Sequence, residues 1–79
     1  MDKDIPRAVQ IIDARGLKCP LPTLRLETAM FSMHPGDIVE VLADCSTFEA
    51  DIRALCSKRN ITLLLLVPED RAIRARIRL

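Results

Sequence analysis

The order in which hydrophobic periodicities follow one another constrains this chain most. Val9-Gln10-Ile11-Ile12-Asp13 is a short β-branched run, and Gly16 marks the turn after it. From Pro20 to Met33, Leu26, Met30 and Met33 recur at helical spacing with Ala29 on the same side, while Arg25, Glu27 and Ser32 cover the other. His34-Pro35-Gly36-Asp37 ends that helix, because proline cannot continue it and glycine supplies the turn. Ile38-Val39-Glu40-Val41-Leu42-Ala43 reads as a strand with an apolar row on each side. Ser46-Thr47-Phe48-Glu49 has the capping-box pattern and opens a second helix, with Phe48, Ile52, Leu55 and Cys56 on one face and Asn60 as its stop. Thr62 to Val67 is a continuous apolar strand, and Pro68-Glu69-Asp70-Arg71 has turn chemistry. From Ala72 to Leu79, Ile73, Ala75, Ile77 and Leu79 alternate with Arg74, Arg76 and Arg78.

The order is therefore βαβαββ. A strand–helix–strand unit makes its two strands parallel with a right-handed crossover. The last two strands form an antiparallel hairpin. The predicted fold is α+β, an α/β two-layer sandwich: a four-stranded mixed sheet with two helices on one face. The strand ending at Leu79 is expected to be an exposed edge able to pair. Both helices begin where a strand ends, so both N-termini lie along the carboxyl edge of the sheet, where ligands of open α/β sheets bind. Cys19 and Cys45 are expected on that edge.

Seventy-nine residues are read as one domain, 1–79, with a modest core and no deep active-site cavity. Two phenylalanines are the only aromatics, so Leu, Ile and Val make the core. A formal charge of +1 gives no net-charge argument for nucleic acid. Met1-Asp2-Lys3-Asp4 is polar, which predicts no secretory signal, and residues 1–7 read as a loose start. The run from Leu63 to Val67 is far too short to span a bilayer. Three cysteines without C-x-x-C spacing argue against a disulfide scaffold and a zinc site. Reduced thiols in a cytoplasmic protein are the expectation.

The chemistry concentrates in Asp13-Ala14-Arg15-Gly16-Leu17-Lys18-Cys19-Pro20-Leu21-Pro22. Proline is tolerated at the first helical position, so Pro20 places Cys19 at or beside a helix N-cap. Free backbone N–H groups and the positive dipole end then lie near its sulfur, and Lys18 adds a cation. These features lower a cysteine pKa, and an exposed thiolate can attack or carry sulfur.

This segment, as Gly16-Leu17-Lys18-Cys19-Pro20-Leu21-Pro22 preceded by Asp13, resembles the G-x-x-C-P-x-P motif (C-P-x-P at its centre) of the TusA-like, or SirA-like, family of small sulfur-carrier proteins. Pro35-Gly36-Asp37, Ala43-Asp44 and Asp51-Ile52 extend the resemblance over about residues 9 to 79. It implies a fold like the C-terminal domain of translation initiation factor three. It also implies that Cys19 accepts sulfane sulfur as a persulfide and passes it on. Donors would be a cysteine desulfurase or a rhodanese-like protein, and the acceptor a downstream protein in tRNA thiolation, molybdenum-cofactor assembly, sulfur oxidation or a selenium-linked route. Two positions depart from the pattern: Asp44-Cys45-Ser46 lacks the proline many relatives carry after the aspartate, and Leu21 replaces a glutamate of the tRNA-pathway members.

No metal or organic cofactor is needed for such exchange at sulfur. Pro20 and Pro22 either start the helix or hold the sulfur out for a partner. Gly16 supplies turn geometry. Asp13 caps or hydrogen-bonds the loop, in preference to moving a proton. Arg15 and Lys18 are solvated charges or an attraction for an anionic persulfide. Cys56 fills the core. Cys45 is an inert loop residue or a secondary thiol that meets Cys19. His34 is a solvated charge at a helix end. The arginine stripe, which Leu64 and Leu66 flank or do not flank depending on the register of the neighbouring strand, is an exposed strand face or a protein-docking row; without aromatics to stack on bases, direct nucleic-acid binding is not expected. Turnover would need other proteins, so the chain reads as a sulfurtransferase component and not a stand-alone enzyme. The alternatives are a non-catalytic regulatory or interaction module of the same fold, and a thiol redox sensor using Cys19 and Cys45.

Overall fold

The structure, a computed structural model, describes residues 9–79. The loose start and the N-terminal signal reading lie outside the described residues. Six elements follow in the expected order: β1 (Val9–Asp13), α1 (Leu21–Met30), β2 (Ile38–Ala43), α2 (Phe48–Arg59), β3 (Thr62–Glu69) and β4 (Ala72–Arg78). They form one four-stranded sheet in the order β1-β2-β4-β3. β1 and β2 are parallel, while β4 runs antiparallel to both of its neighbours. The strand ending next to Leu79 is thus not an edge, contrary to expectation. It lies between β2 and β3, because Ile77 and Ala75, buried and apolar, are needed in the middle of the core beside Val39 and Val41.

One face of the sheet packs on the helices. Ile12, Val39, Val41, Ala43, Ala75 and Ile77 meet Leu26 of α1 and Phe48, Ile52, Leu55 and Cys56 of α2. Phe48, Leu26 and Ile52 are among the largest fully buried side chains. α1 is shorter than its pattern suggests. After Met30 the backbone tightens into i→i+3 bonds from Phe31, Ser32 and Met33, since Pro35 disfavours helical geometry at His34. Met30 and Met33 still reach the core. At the far end of α2, Asn60 takes the left-handed conformation (φ 57°) and stops the helix as its sequence position predicts.

β3 extends beyond Val67 through Pro68 and Glu69, so the expected four-residue turn shrinks to Asp70-Arg71, with Asp70 at φ 56°. Proline is tolerated there because β3 is an edge strand. A register shift between Leu63 and Leu65 leaves Leu64 exposed but turns Leu66 toward the core, so Leu66 does not flank the arginines.

The opposite face of the sheet carries an ionic cluster. Glu40, only 5% exposed, accepts hydrogen bonds from Arg74 and Arg76, and Arg74 also donates to Glu69. Two of the three arginines read as an exposed strand face or a docking row are therefore paired with carboxylates. The two guanidiniums, Arg76 foremost, hold the Glu40 carboxyl below its ordinary range. A depressed carboxyl stabilises the fold fully above its ordinary range and loses that contribution as pH falls through the folded value. The expected result is that Glu40→Gln lowers the urea midpoint at neutral pH, and that its gap from wild type closes as pH drops below 4.5, the group's ordinary value. Urea titrations of both proteins across that range check it.

Candidate functional site: a cysteine pair at the carboxyl edge of the sheet

Two loops leave the same edge of the sheet, and their local chemistry fixes a cysteine on each. After β1, Ala14 is buried and its N–H donates to Leu42 O at 2.7 Å, which ties the loop to β2. Asp13 accepts from the Arg15 backbone N–H at 3.2 Å and from its guanidinium at 2.8 and 2.7 Å. That pair draws the Asp13 carboxyl down to about 2, chiefly through the side-chain hydrogen bond. Asp13 serves as the loop's hydrogen-bond acceptor, and Arg15 is neutralised by it, so neither is spare charge. Gly16 follows at φ 85°, and its N–H donates to both Asp44 carboxylate oxygens, at 3.0 and 3.2 Å. Asp44 lies in the second loop, so this contact locks the two loops together.

A Cβ at Gly16 would meet nothing within 4 Å, so the need for glycine is conformational and not steric. Gly16→Ala is expected to cost about 1–2 kcal/mol, the penalty of a left-handed backbone for an L side chain. A chemical-denaturation curve gives the value directly.

Cys19 is half-buried and sits one residue before the helix cap. The cap is Pro20, joined to Cys19 by a cis peptide, and the helix starts at Leu21, one residue later than expected. Pro20 O accepts from Leu24 N–H at 3.2 Å and from Thr23 Oγ1–H at 2.9 Å. Pro22 is fully buried, which favours its structural role over presentation of the sulfur. Lys18 is exposed next to the cysteine.

The donor beside the Cys19 sulfur comes from the other helix. Thr47 N–H points at Cys19 Sγ at 3.4 Å, whereas Leu21 N–H of α1 is taken by Lys18 O at 2.7 Å. The sequence pattern placed the α1 terminus at the sulfur; the α2 terminus supplies the N–H instead. This also explains why the capping box does not form. The cap of α2 is Thr47 and not Ser46, and the Thr47 side chain makes no cap hydrogen bond to the helix N–H groups. Thr47 Oγ1–H turns to Asp51 Oδ2 at 2.9 Å.

Cys19 and Cys45 are joined by a disulfide, with their Cα atoms 5.6 Å apart. The expectation of three reduced thiols is corrected here. The cause is the shared edge: the end of β2 anchors both loops, through Leu42 O and Asp44. An Asp51 carboxylate oxygen lies within 4.8 Å of both sulfurs. Cys56 is free and buried, and burial pushes its thiol pKa up, which suits core filling. His34 is exposed in the turn between α1 and β2, with its N–H donating to Asp37 Oδ2 at 2.9 Å.

Sequence reasoning singled out Cys19 and its neighbours but assigned no role to Asp44, Thr47 or Asp51. The spacing between the two loops holds no sign of the Asp44–Gly16 contact. The only signal was the acidic pair of the motif, Asp44 and Asp51, which stands out once the loops are seen to meet.

Leu21 and Leu24 are exposed beside this site, and Phe31, 88% exposed, continues the same side of α1. A cysteine pair at the carboxyl edge, flanked by exposed aliphatics on a two-layer α+β scaffold, defines a small thiol protein of SirA-like architecture. The solved structure of a SirA-like protein from Desulfitobacterium hafniense superposes on it with a TM-score of 0.78, covering 89% of this chain and 96% of that one at 24% identity. Residues 10–79 match the family described as Sulfurtransferase TusA, and the chain belongs to that family. Proteins provisionally named sulfur carriers in Neisseria meningitidis serogroups A and B are each 40% identical over 61 residues, 77% of this chain and 82% of theirs. One from Archaeoglobus fulgidus, under the same provisional name, is 43% identical over 47 residues, 60% of this chain and 61% of its own. Among the described residues no helix is long and apolar enough to cross a membrane.

Proposed function

We propose that this protein is a sulfur carrier that takes sulfane sulfur onto Cys19 as a persulfide and delivers it to an acceptor protein. The observation that carries the reading is the placement of Cys19. It is half-buried on a braced strand-to-helix turn, with the Thr47 N–H 3.4 Å from its sulfur and Lys18 alongside. An N–H donor and a nearby cation favour the thiolate, which is the nucleophile in exchange at sulfur. The names of the relatives point the same way.

The carrier acts from its dithiol form, after a thiol reductant has opened the Cys19–Cys45 bond. The Cys19 thiolate attacks the outer sulfur of a donor persulfide, and the donor thiolate leaves. An acceptor nucleophile then attacks that outer sulfur, and the Cys19 thiolate leaves with the electron pair. The donor is a cysteine desulfurase or a rhodanese-like protein, and Leu21 and Leu24 supply apolar surface for docking next to the sulfur. A reducing compartment, the cytoplasm, is where such a thiol is kept available.

Incubation of the reduced Cys45→Ser protein, which cannot close the Cys19–Cys45 bond, with a cysteine desulfurase and cysteine, followed by intact mass, tests the reading. A gain of one sulfur atom that reductant reverses is the expected result. No gain with desulfurase, rhodanese or polysulfide, while the Cys19 thiol stays alkylatable, overturns it. A redox sensor is the second reading, and the Cys19–Cys45 bond favours it. That reading requires a reversible disulfide and no stable persulfide even in Cys45→Ser.

A further inference from the structure

The geometry points to Cys45 as a resolving thiol: a persulfide on Cys19 is discharged within the chain as hydrosulfide, leaving the Cys19–Cys45 disulfide. This rests on the persulfide reading above and adds to it a second fate for the bound sulfur.

Both sulfurs are held by the frame and not by their mutual bond alone. The Cys19 loop is fastened to the end of β2 through Ala14 N–H to Leu42 O and through Gly16 N–H to Asp44. Cys45 lies just beyond Asp44 after that strand end, its side chain packs against the core, and its carbonyl accepts from Phe48 N–H at 3.2 Å. The Cα separation of 5.6 Å lies inside the span that disulfides ordinarily bridge. Reduction therefore leaves the two sulfurs within reach without moving any element.

In the persulfide, the inner sulfur is Cys19 Sγ, the atom to which Cys45 is bonded in the structure. The Cys45 thiolate attacks that atom. The bond between inner and outer sulfur breaks, and the outer sulfur leaves with the electron pair as hydrosulfide. The balance is one persulfide (S–S–H) and one thiol (S–H) giving one disulfide and one hydrogen sulfide. The outer sulfur departs at the oxidation level of sulfide, and Cys45 is oxidised in the same step, so no outside oxidant takes part. A thiol reductant, supplying two electrons and two protons, regenerates the dithiol. Attack within one chain enjoys a high effective concentration, so it outruns transfer to a dilute acceptor. An acceptor wins only by docking over the pair before Cys45 reacts.

The test uses the full chain in reduced, desalted form, with one equivalent of glutathione persulfide as the sulfur source. Wild type is compared with Cys45→Ser and Cys45→Ala, and circular dichroism verifies that each variant is folded. Hydrosulfide is trapped with monobromobimane while intact mass is followed in time. Wild type is expected to release one hydrosulfide per chain and to end two hydrogens lighter than the dithiol. The Cys45 variants are expected to keep the extra sulfur at least about tenfold longer, a small part of the advantage that intramolecular attack can give. Equal persulfide lifetimes in wild type and variants, with no disulfide formed, overturn the inference and leave the carrier reading intact. Failure of both Cys45 variants to gain sulfur at all overturns the carrier reading, and the inference with it.

Discussion

Cys19→Ser is expected to abolish sulfur uptake, with no mass gain from any persulfide donor, while the fold persists. Serine keeps the size and loses the chemistry. Its hydroxyl is not ionised near neutral pH and does not exchange with sulfur, whereas a thiolate does both. The other two cysteines do not replace Cys19. Cys56 is buried and its thiol is pushed further from ionisation, and Cys45 has no backbone N–H aimed at its sulfur among the described residues. The substitution also removes the Cys19–Cys45 link, which closes a loop spanning 26 residues in sequence. Its effect on the oxidised protein is a loss of stability of about 2–4 kcal/mol, typical of a disulfide. In the reduced state the two proteins should melt together. Intact mass after donor treatment and urea curves with and without reductant separate the two consequences. A Cys19→Ser protein that still gains one reducible sulfur defeats the assignment of the carrier residue.

The second large effect is expected at Phe48. Its ring is completely buried and is among the largest such side chains in the molecule. Truncation to alanine costs about 3–5 kcal/mol through lost burial and the cavity left behind. A domain of this size holds about 4–12 kcal/mol in all, so much of the native population is at risk. Phe48 is also the first residue of α2, directly after Thr47. The ring therefore anchors the helix end whose N–H reaches the Cys19 sulfur. Phe48→Ala is expected to lower the urea midpoint steeply and, in the fraction still folded, to slow alkylation of Cys19 at neutral pH as the donor is loosened. Phe48→Leu fills most of the space and should restore both. Urea curves and iodoacetamide rates check the pair.

The elements that sequence reasoning placed best are those whose ends are set by neighbouring residues. β1 and β2 are bounded by β-branched runs and flanking turns, and both have the predicted limits. Asn60 ends α2 for a local reason as well. Apart from the early end of α1, which Pro35 sets locally, the main failures turn on partners distant in the chain. The capping box at Ser46 gave way because Thr47 N–H meets Cys19 and Thr47 Oγ1–H meets Asp51. Leu66 and Leu64 divide between core and solvent because of a register shift that no alternation pattern reveals. Two members of the arginine stripe, Arg74 and Arg76, pair with Glu40, a residue whose burial follows only from strand order. In the site, Cys19 was legible because proline, glycine and lysine surround it in sequence. Its meeting with Cys45 depended on two loops converging, and the braces at Asp44 were invisible for the same reason.

The central position of β4 has a consequence for how this molecule comes into being. β2 holds the middle of the core, yet one of its two hydrogen-bonding neighbours is the strand made last among those described. While the ribosome has not yet released Ala72 to Arg78, β2 has an unpaired flank and β3 has no partner in the sheet. The nascent βαβ unit consequently has no self-sufficient sheet to settle into, and the two cysteine loops lack a finished support. Folding, and with it the meeting of Cys19 and Cys45 in native geometry, is tied to the arrival of the last hairpin arm. A ribosome-stalled fragment ending before Ala72 is a molecule with its reactive cysteine already synthesised and its frame still missing.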